Sequence, residues 1–75
     1  MKDLVAAVVK RLADKPEAVS VEEIEQGGST VLRLVVDESD KGKVIGKQGK
    51  VIKAIRDVVA VAAQKAGRRV SVQID

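Results

Sequence analysis

The chain contains no cysteine, no histidine and no aromatic residue, and it has one proline and one methionine in 75 residues. Without cysteine there is no disulfide framework, and without cysteine or histidine the usual zinc ligand sets have no members. The same absence removes the side chains that most often do nucleophilic and acid–base work near neutral pH. No enzymatic activity, metal or cofactor is therefore expected. Without aromatics there is no platform on which bases could stack. A nucleic-acid ligand would have to be held by backbone, aliphatic surface and charge. No apolar run approaches the ~20 residues of a membrane span, and none at the N-terminus suits a secretory signal. A cytosolic protein without a membrane partner is expected.

The charge is present but unevenly placed. The net charge of +3 divides into an acidic half and a basic half. Residues 1–40 carry five basic and nine acidic side chains, and residues 41–75 carry nine basic and two acidic. A basic half on an otherwise acidic chain is the footprint of a polyanion binder. The length suits one domain, 1–75, with a modest core, since a chain this small buries only about 60% of its unfolded surface. No linker, repeat or low-complexity segment divides it.

Hydrophobic spacing predicts the elements. Leu4, Val5, Val8, Val9 and Leu12 recur with helical period over residues 4–14, with Asp3 as the expected cap and Pro16 as the stop. Residues 18–25 read as an edge-like strand, with an irregularity expected where Glu22 and Glu23 interrupt the alternation. Gln26-Gly27-Gly28-Ser29 reads as a hairpin turn. Thr30–Val36 is the clearest strand, with Leu32, Leu34 and Val36 on one face. Ser39 or Asp40 is the expected cap of a short helix ending near Ile45. A long helix follows over Lys50–Ala66, with Ile52, Ile55, Val59, Ala62 and Ala66 as its stripe, widened by Val51, Val58 and Ala63. Gly67 ends that helix, and Val70, Val72 and Ile74 alternate in a last strand. The order is α-β-β-α-α-β. It predicts an α+β fold, a three-stranded sheet covered on one face by three helices.

The stretch Gly42–Ile52, G-K-V-I-G-K-Q-G-K-V-I, holds three of the six glycines and opens the basic half. A phosphodiester backbone needs donors and positive charge close by. Glycines at 46 and 49 remove side chains that would hold a phosphate off, and the start of the following helix favours an anion. Lys47 and Gln48, between the glycines, must project into solvent. Lys50 and Lys53 lie in the first turn of the long helix, and Lys43 lies one short helix earlier. Gly42 inside that short helix costs about 1 kcal/mol against alanine, and close approach of another backbone is one candidate compensation. Such a corner grips backbone and does not by itself read sequence. Nucleotide-binding patterns fail: the phosphate-loop motif lacks its first glycine and its Ser/Thr, and G-x-G-x-x-G is absent. The carboxylates at 22–25 and 37–40 read as a strand edge and a helix cap, and Lys65, Arg68 and Arg69 as a solvated helix end.

Val44-Ile45-Gly46-Lys47-Gln48-Gly49-Lys50-Val51-Ile52 resembles the K-homology (KH) signature I-G-x-x-G-x-x-I. The element order is similar to the type II KH arrangement, and the size to the small single-KH proteins of bacteria. The resemblance spans the whole chain. It implies an RNA-binding function, with single-stranded RNA held at Gly46, Lys47, Gln48 and Gly49 and about four nucleotides clamped. The resemblance further implies a role as an RNA chaperone or post-transcriptional regulator. Gly42 matches a small position past which nucleic acid runs, and Lys43, Lys50 and Lys53 become accessory phosphate contacts. Ile45 and Ile52 are expected as core props, whereas Val44 could line the groove. The resemblance also implies a second reading, an interaction module that forms a homodimer or pairs with a larger KH-containing protein. Single-stranded DNA remains open, because no residue identifies a 2′-hydroxyl reader.

Overall fold

The computed structural model describes all residues, Met1–Asp75. Helix α1 spans Lys2–Leu12, strand β1 Ser20–Gln26 and strand β2 Ser29–Val35. Helix α2 spans Lys41–Ile45, helix α3 Lys50–Lys65 and strand β3 Val70–Ile74. Short 3-10 turns at Pro16–Ala18, Glu38–Asp40 and Lys47–Gly49 join them. The α-β-β-α-α-β order is the one the periodicities predict, and the architecture is that of a type II KH fold.

The sheet order is β1-β2-β3. β1 and β2 pair antiparallel without a break from Ser20 opposite Val35 to Gln26 opposite Ser29. The irregularity expected at Glu22 and Glu23 is therefore absent. β1 is an edge strand, so both glutamates keep their carboxylates in water without disturbing the ladder. β3 adds parallel to β2, with Leu32 opposite Val72. A parallel neighbour needs a crossover, and the α2–α3 pair supplies it.

One face of the sheet is covered. Thr30, Leu32, Leu34 and Val36 are buried on it and meet Val5, Val9, Val44, Ile52, Ile55, Val59 and Val72. The other face carries an ion-paired patch in which Arg33 reaches Asp75 at 2.7 Å and Glu22 at 3.8 Å.

Several local expectations are corrected. α1 begins two residues early, and Asp3 lies inside its first turn without capping it. It ends at Leu12, with Ala13 extended, because Asp14 and Lys15 turn their N–H groups to a distant carboxylate described below. Ser39 caps nothing. Asp37 accepts from the Ser39 N–H instead and starts the 3-10 turn; that bond and the Ser39 hydroxyl hold the Asp37 carboxyl below its ordinary range. The α3 stripe is narrower than predicted. Ile52, Ile55, Val59 and Ala63 are buried, Ala62 is half-buried, and Val58 and Ala66 are exposed.

Candidate nucleic-acid interface

The corner between α2 and α3 is built by backbone conformation. Gly46 ends α2 at φ 78°, ψ 170°, a region almost closed to residues with a Cβ. Its N–H still reaches the Gly42 carbonyl at 2.8 Å, so the helix stops abruptly at the glycine. Gln48 (φ 58°, ψ 27°) and Gly49 (φ 74°, ψ 14°) are both left-handed. The chain thereby reverses and starts α3, with the Gly49 N–H on Gly46 O at 3.1 Å. Gln48 is the one non-glycine residue at positive φ in the molecule. That costs on the order of 1–2 kcal/mol. Its amino-acid type carries no signal for it, so this strain was invisible in the sequence. Lys47 and Gln48 point into solvent, as expected from their position between glycines.

The glycines have different reasons to be there. A Cβ at Gly46 would lie 2.8 Å from the Val51 nitrogen and closer still to the Val51 side chain. Gly46 is thus required by the packing of α3 against the turn. A Cβ at Gly49 or Gly42 would meet nothing within 4 Å. The close approach of a neighbouring backbone expected at Gly42 is therefore not made within this chain. Gly42 is exposed on α2 and keeps its flank bare.

Beside it, Val44 is fully buried and Ile45 half-buried. Ile45 packs against the core cluster, as expected of a prop, whereas the expectation that Val44 could line the groove is corrected. α2 turns its Val44 side into the core, so Ile45 is the aliphatic beside the turn that stays partly accessible. Ile52 is buried as expected.

The lysines separate into two kinds. Lys47 and Lys50 are exposed and in no ion pair, whereas Lys53 is held by Asp57 at 2.9 Å, one turn along α3, and Lys43 by Asp14. The bond to Asp14, and with it the charges of Asp14 and Asp40, raises the Lys43 pKa above the ordinary lysine value. A carboxylate from outside both acidic clusters therefore stands at the corner. Asp14 gave no sign of this, since 29 residues separate it from Lys43.

Asp40 is the second unforeseen residue. It occupies the cap position of α2 but makes no cap bond. Its fully buried carboxylate accepts from the N–H groups of Asp14 at 3.1 Å and Lys15 at 3.0 Å. The corner is thereby tied to the end of α1. At the other end of α3, Arg68 is no free solvated end: it donates to Thr30 Oγ1 at 2.9 Å. No group of three or more acidic, histidine or cysteine side chains converges to hold a metal ion. No helix is long and apolar enough to cross a membrane.

The family model described as "KhpA/KhpB, KH domain" matches residues 2–74. The RNA-binding protein KhpA of Clostridium perfringens is 51% identical over 74 residues, covering 99% of each chain. That of Clostridium acetobutylicum is 47% identical over the same length and coverage. That of Chlamydia trachomatis is 40% identical, over 99% of this chain and 95% of its own.

Proposed function

The chain belongs to the KhpA/KhpB family of KH domains, and from that premise we propose that it binds single-stranded RNA by its backbone at Gly46-Lys47-Gln48-Gly49. The relatives named above are called RNA-binding proteins, a binding class and not a catalytic one. The observation that carries the site is the pairing of unspent charge with unspent space. Lys47 and Lys50 have no carboxylate partner, and Gly42 and Gly49 leave room that no protein atom fills. A phosphate chain passing Gly42 and lying against the turn would use both. Lys43 and Lys53 would join only after giving up Asp14 and Asp57. With few phosphate contacts, affinity should be modest and should fall steeply with salt, by about 0.7 log units of K per log unit of salt for each contact. The cellular role consistent with this is RNA chaperoning or post-transcriptional regulation in the cytoplasm.

The test is the double change Lys47→Asp with Gln48→Asp. Both side chains project from the turn, so the circular dichroism spectrum and melting should stay native while RNA binding is lost. A folded double variant that binds RNA like the parent would refute the assignment.

A second reading, dimerisation, is favoured by one observation. Leu4 and Val8 of α1 and Val58 and Val61 of α3 are exposed, Val58 and Val61 by 55% each. Between α1 and α3 lies a hollow of about 90 Å³ with an entirely apolar lining. Asp57 and Lys65 flank Val61 at equal spacing. Two copies crossing antiparallel at Val61 would set each Asp57 against the other copy's Lys65, a self-complementary contact. Sedimentation equilibrium should then show a dimer that Val61→Lys dissociates and the Lys47/Gln48 double change leaves intact. A wild-type chain that stays monomeric at high concentration would remove this reading.

A further inference from the structure

The glycine turn and the exposed apolar stripe lie far apart on one helix. Gly49 stands just before α3, and Val61 is twelve residues further on. At the helical rise per residue, the turn is about 18 Å from Val61 along the axis. The contact between copies is centred on Val61 and flanked by Asp57 and Lys65, so it reaches only about 6 Å each way. The turn is therefore left uncovered when two copies meet, and Lys47 and Lys50 stay exposed.

An antiparallel crossing sends the two turns to opposite ends of the pair. They stand about 36 Å apart, twice the length of one arm. Charges are screened over about 8 Å at physiological ionic strength. Two phosphate chains at this separation repel each other little, and the second turn fills with nearly the affinity of the first.

Symmetry decides how many strands fill the two turns. A contact in which each Asp57 meets the other copy's Lys65 is isologous, and its two-fold axis passes through Val61. The axis is perpendicular to the line joining the turns and reverses every direction along that line. A strand that points toward the axis at one turn must point toward it at the other. One strand running straight from the first turn to the second thus arrives with the wrong polarity. It enters correctly only after overshooting and looping back. Two strands of opposite polarity enter with no loop at all.

We propose that the protein holds two single-stranded RNA segments at once, one at each glycine turn of a two-fold dimer, and so brings separate strands together in antiparallel orientation. The inference rests on the two readings above, the backbone grip and the dimer, and adds what neither gives alone. Held at this reach, one strand experiences the other at an effective concentration on the order of millimolar. That concentration, with the antiparallel sense, favours the pairing of complementary segments.

The test uses the full chain and two batches of an oligouridine heptamer, one with a donor dye and one with an acceptor dye. About four nucleotides occupy one turn, so a heptamer cannot fill two. Fluorescence anisotropy gives the Kd of the donor heptamer, and the RNA is then kept above it. Protein titrated into the equal mixture should produce energy transfer that rises, peaks near one chain per heptamer, and falls again in protein excess, where each dimer carries a single heptamer. Val61→Lys changes an exposed position, and its new charge lies beyond the screening length from the turn. It should bind the heptamer within about 2-fold of wild type and give no energy transfer. An excess of the Lys47→Asp, Gln48→Asp double variant, premixed with wild type, forms mixed dimers with one working turn. It should abolish the transfer while the anisotropy due to wild type remains.

A wild-type dimer that binds the heptamer and gives no transfer at any ratio would overturn the proposal and leave both readings standing. Transfer that persists in monomeric Val61→Lys would overturn it as well, because the two strands would then meet on one copy. So would transfer that the excess double variant leaves unchanged. A wild type that sediments as a monomer removes the dimer reading, and one that binds no heptamer removes the RNA reading; the inference falls with either.

Discussion

The β1–β2 turn and the α2–α3 turn each place two glycines at positive φ, Gly27 and Gly28 at 52° and 85°, Gly46 and Gly49 at 78° and 74°. In sequence they look alike, and physically they differ. The hairpin turn closes on itself: Gln26 pairs with Ser29, the Ser29 hydroxyl bonds Gln26 O at 2.9 Å, and both glycines have open space around them. Its glycines supply backbone geometry and nothing more. The helix–helix turn closes against something. Gly46 lies under Val51, and the turn is held from outside through Asp40. The difference separates a turn that merely reverses the chain from one whose position relative to the core must be kept.

Alanine at the two turns exposes the contrast most strongly. Gly46→Ala combines a glycine-only backbone region, worth about 1–3 kcal/mol, with an overlap against Val51 that forces α3 to shift, worth about another 1–3. A loss near 4 kcal/mol is expected, a large share of what a chain of this size has. Gly28→Ala has space for its methyl group and should lose only about 1–2 kcal/mol. Urea midpoints of the two variants measure this directly. Equal losses would mean that α3 repacks freely at Val51 and that the two turns are not different in kind.

The anchoring of the corner is the next largest effect. Asp40→Ala leaves the Asp14 and Lys15 N–H groups without their buried acceptor. Bonds to a charged group are worth about 1.5–3 kcal/mol, and a net loss of about 2–3 kcal/mol is expected. Hydrogen exchange should locate the loosening at residues 13–15 and at the start of α2, with the hairpin amides protected to the same depth relative to global unfolding. Loosening spread evenly over the hairpin would show that the corner has no separate footing.

This anchoring also marks where sequence reading stopped. The helices, the strands and the glycine turn were legible, because period, turn chemistry and end signals are local. The KH resemblance rests on one such local run and on the element order that the local signals spell out. Asp40 read as a helix cap because its neighbours in sequence allow that, whereas its partners lie 25 and 26 residues away. Val44 and Ile45 are adjacent aliphatics whose inward and outward roles depend on how α2 is rotated, and five residues are too few to set a phase. Asp14 owes its place at the corner to tertiary packing, which no pattern of period or spacing records.

Gly42→Ala tests the bare flank, with stability and binding expected to move in opposite directions. Its backbone is helical and its surroundings are empty, so alanine should stabilise the fold by about 0.5–1 kcal/mol. A methyl group standing where the RNA backbone runs should at the same time weaken RNA binding. The hairpin offers no such split, because Gly28→Ala should leave RNA affinity unchanged. If Gly42→Ala gains stability and binds as before, the strand does not pass α2 there.

The smallest effect concerns Lys43, the corner lysine already spoken for. Its pair with Asp14 is exposed and intrinsically weak, so a phosphate can compete for it, but the exchange gains little. Lys43 turns from one anion to another, and the released Asp14 carboxylate takes up a cation. No change of pH within the neutral range opens the pair from the lysine side. The Lys43 pKa is raised above 10.5, so its contribution is fully present below that ordinary value and is lost only as pH rises through the higher one. Substitution at Asp14 does open it. Asp14→Asn should leave a free ammonium at the corner, raise RNA affinity about 2-fold at low salt, and steepen the salt dependence by about 0.7 log units per log unit. By the same reasoning Lys43→Ala should weaken the wild-type protein less than Lys47→Ala, because only Lys47 reaches RNA without surrendering a partner. If Asp14→Asn changes neither affinity nor slope, Lys43 lies off the path of the strand, and the grip reduces to the glycine turn with Lys47 and Lys50.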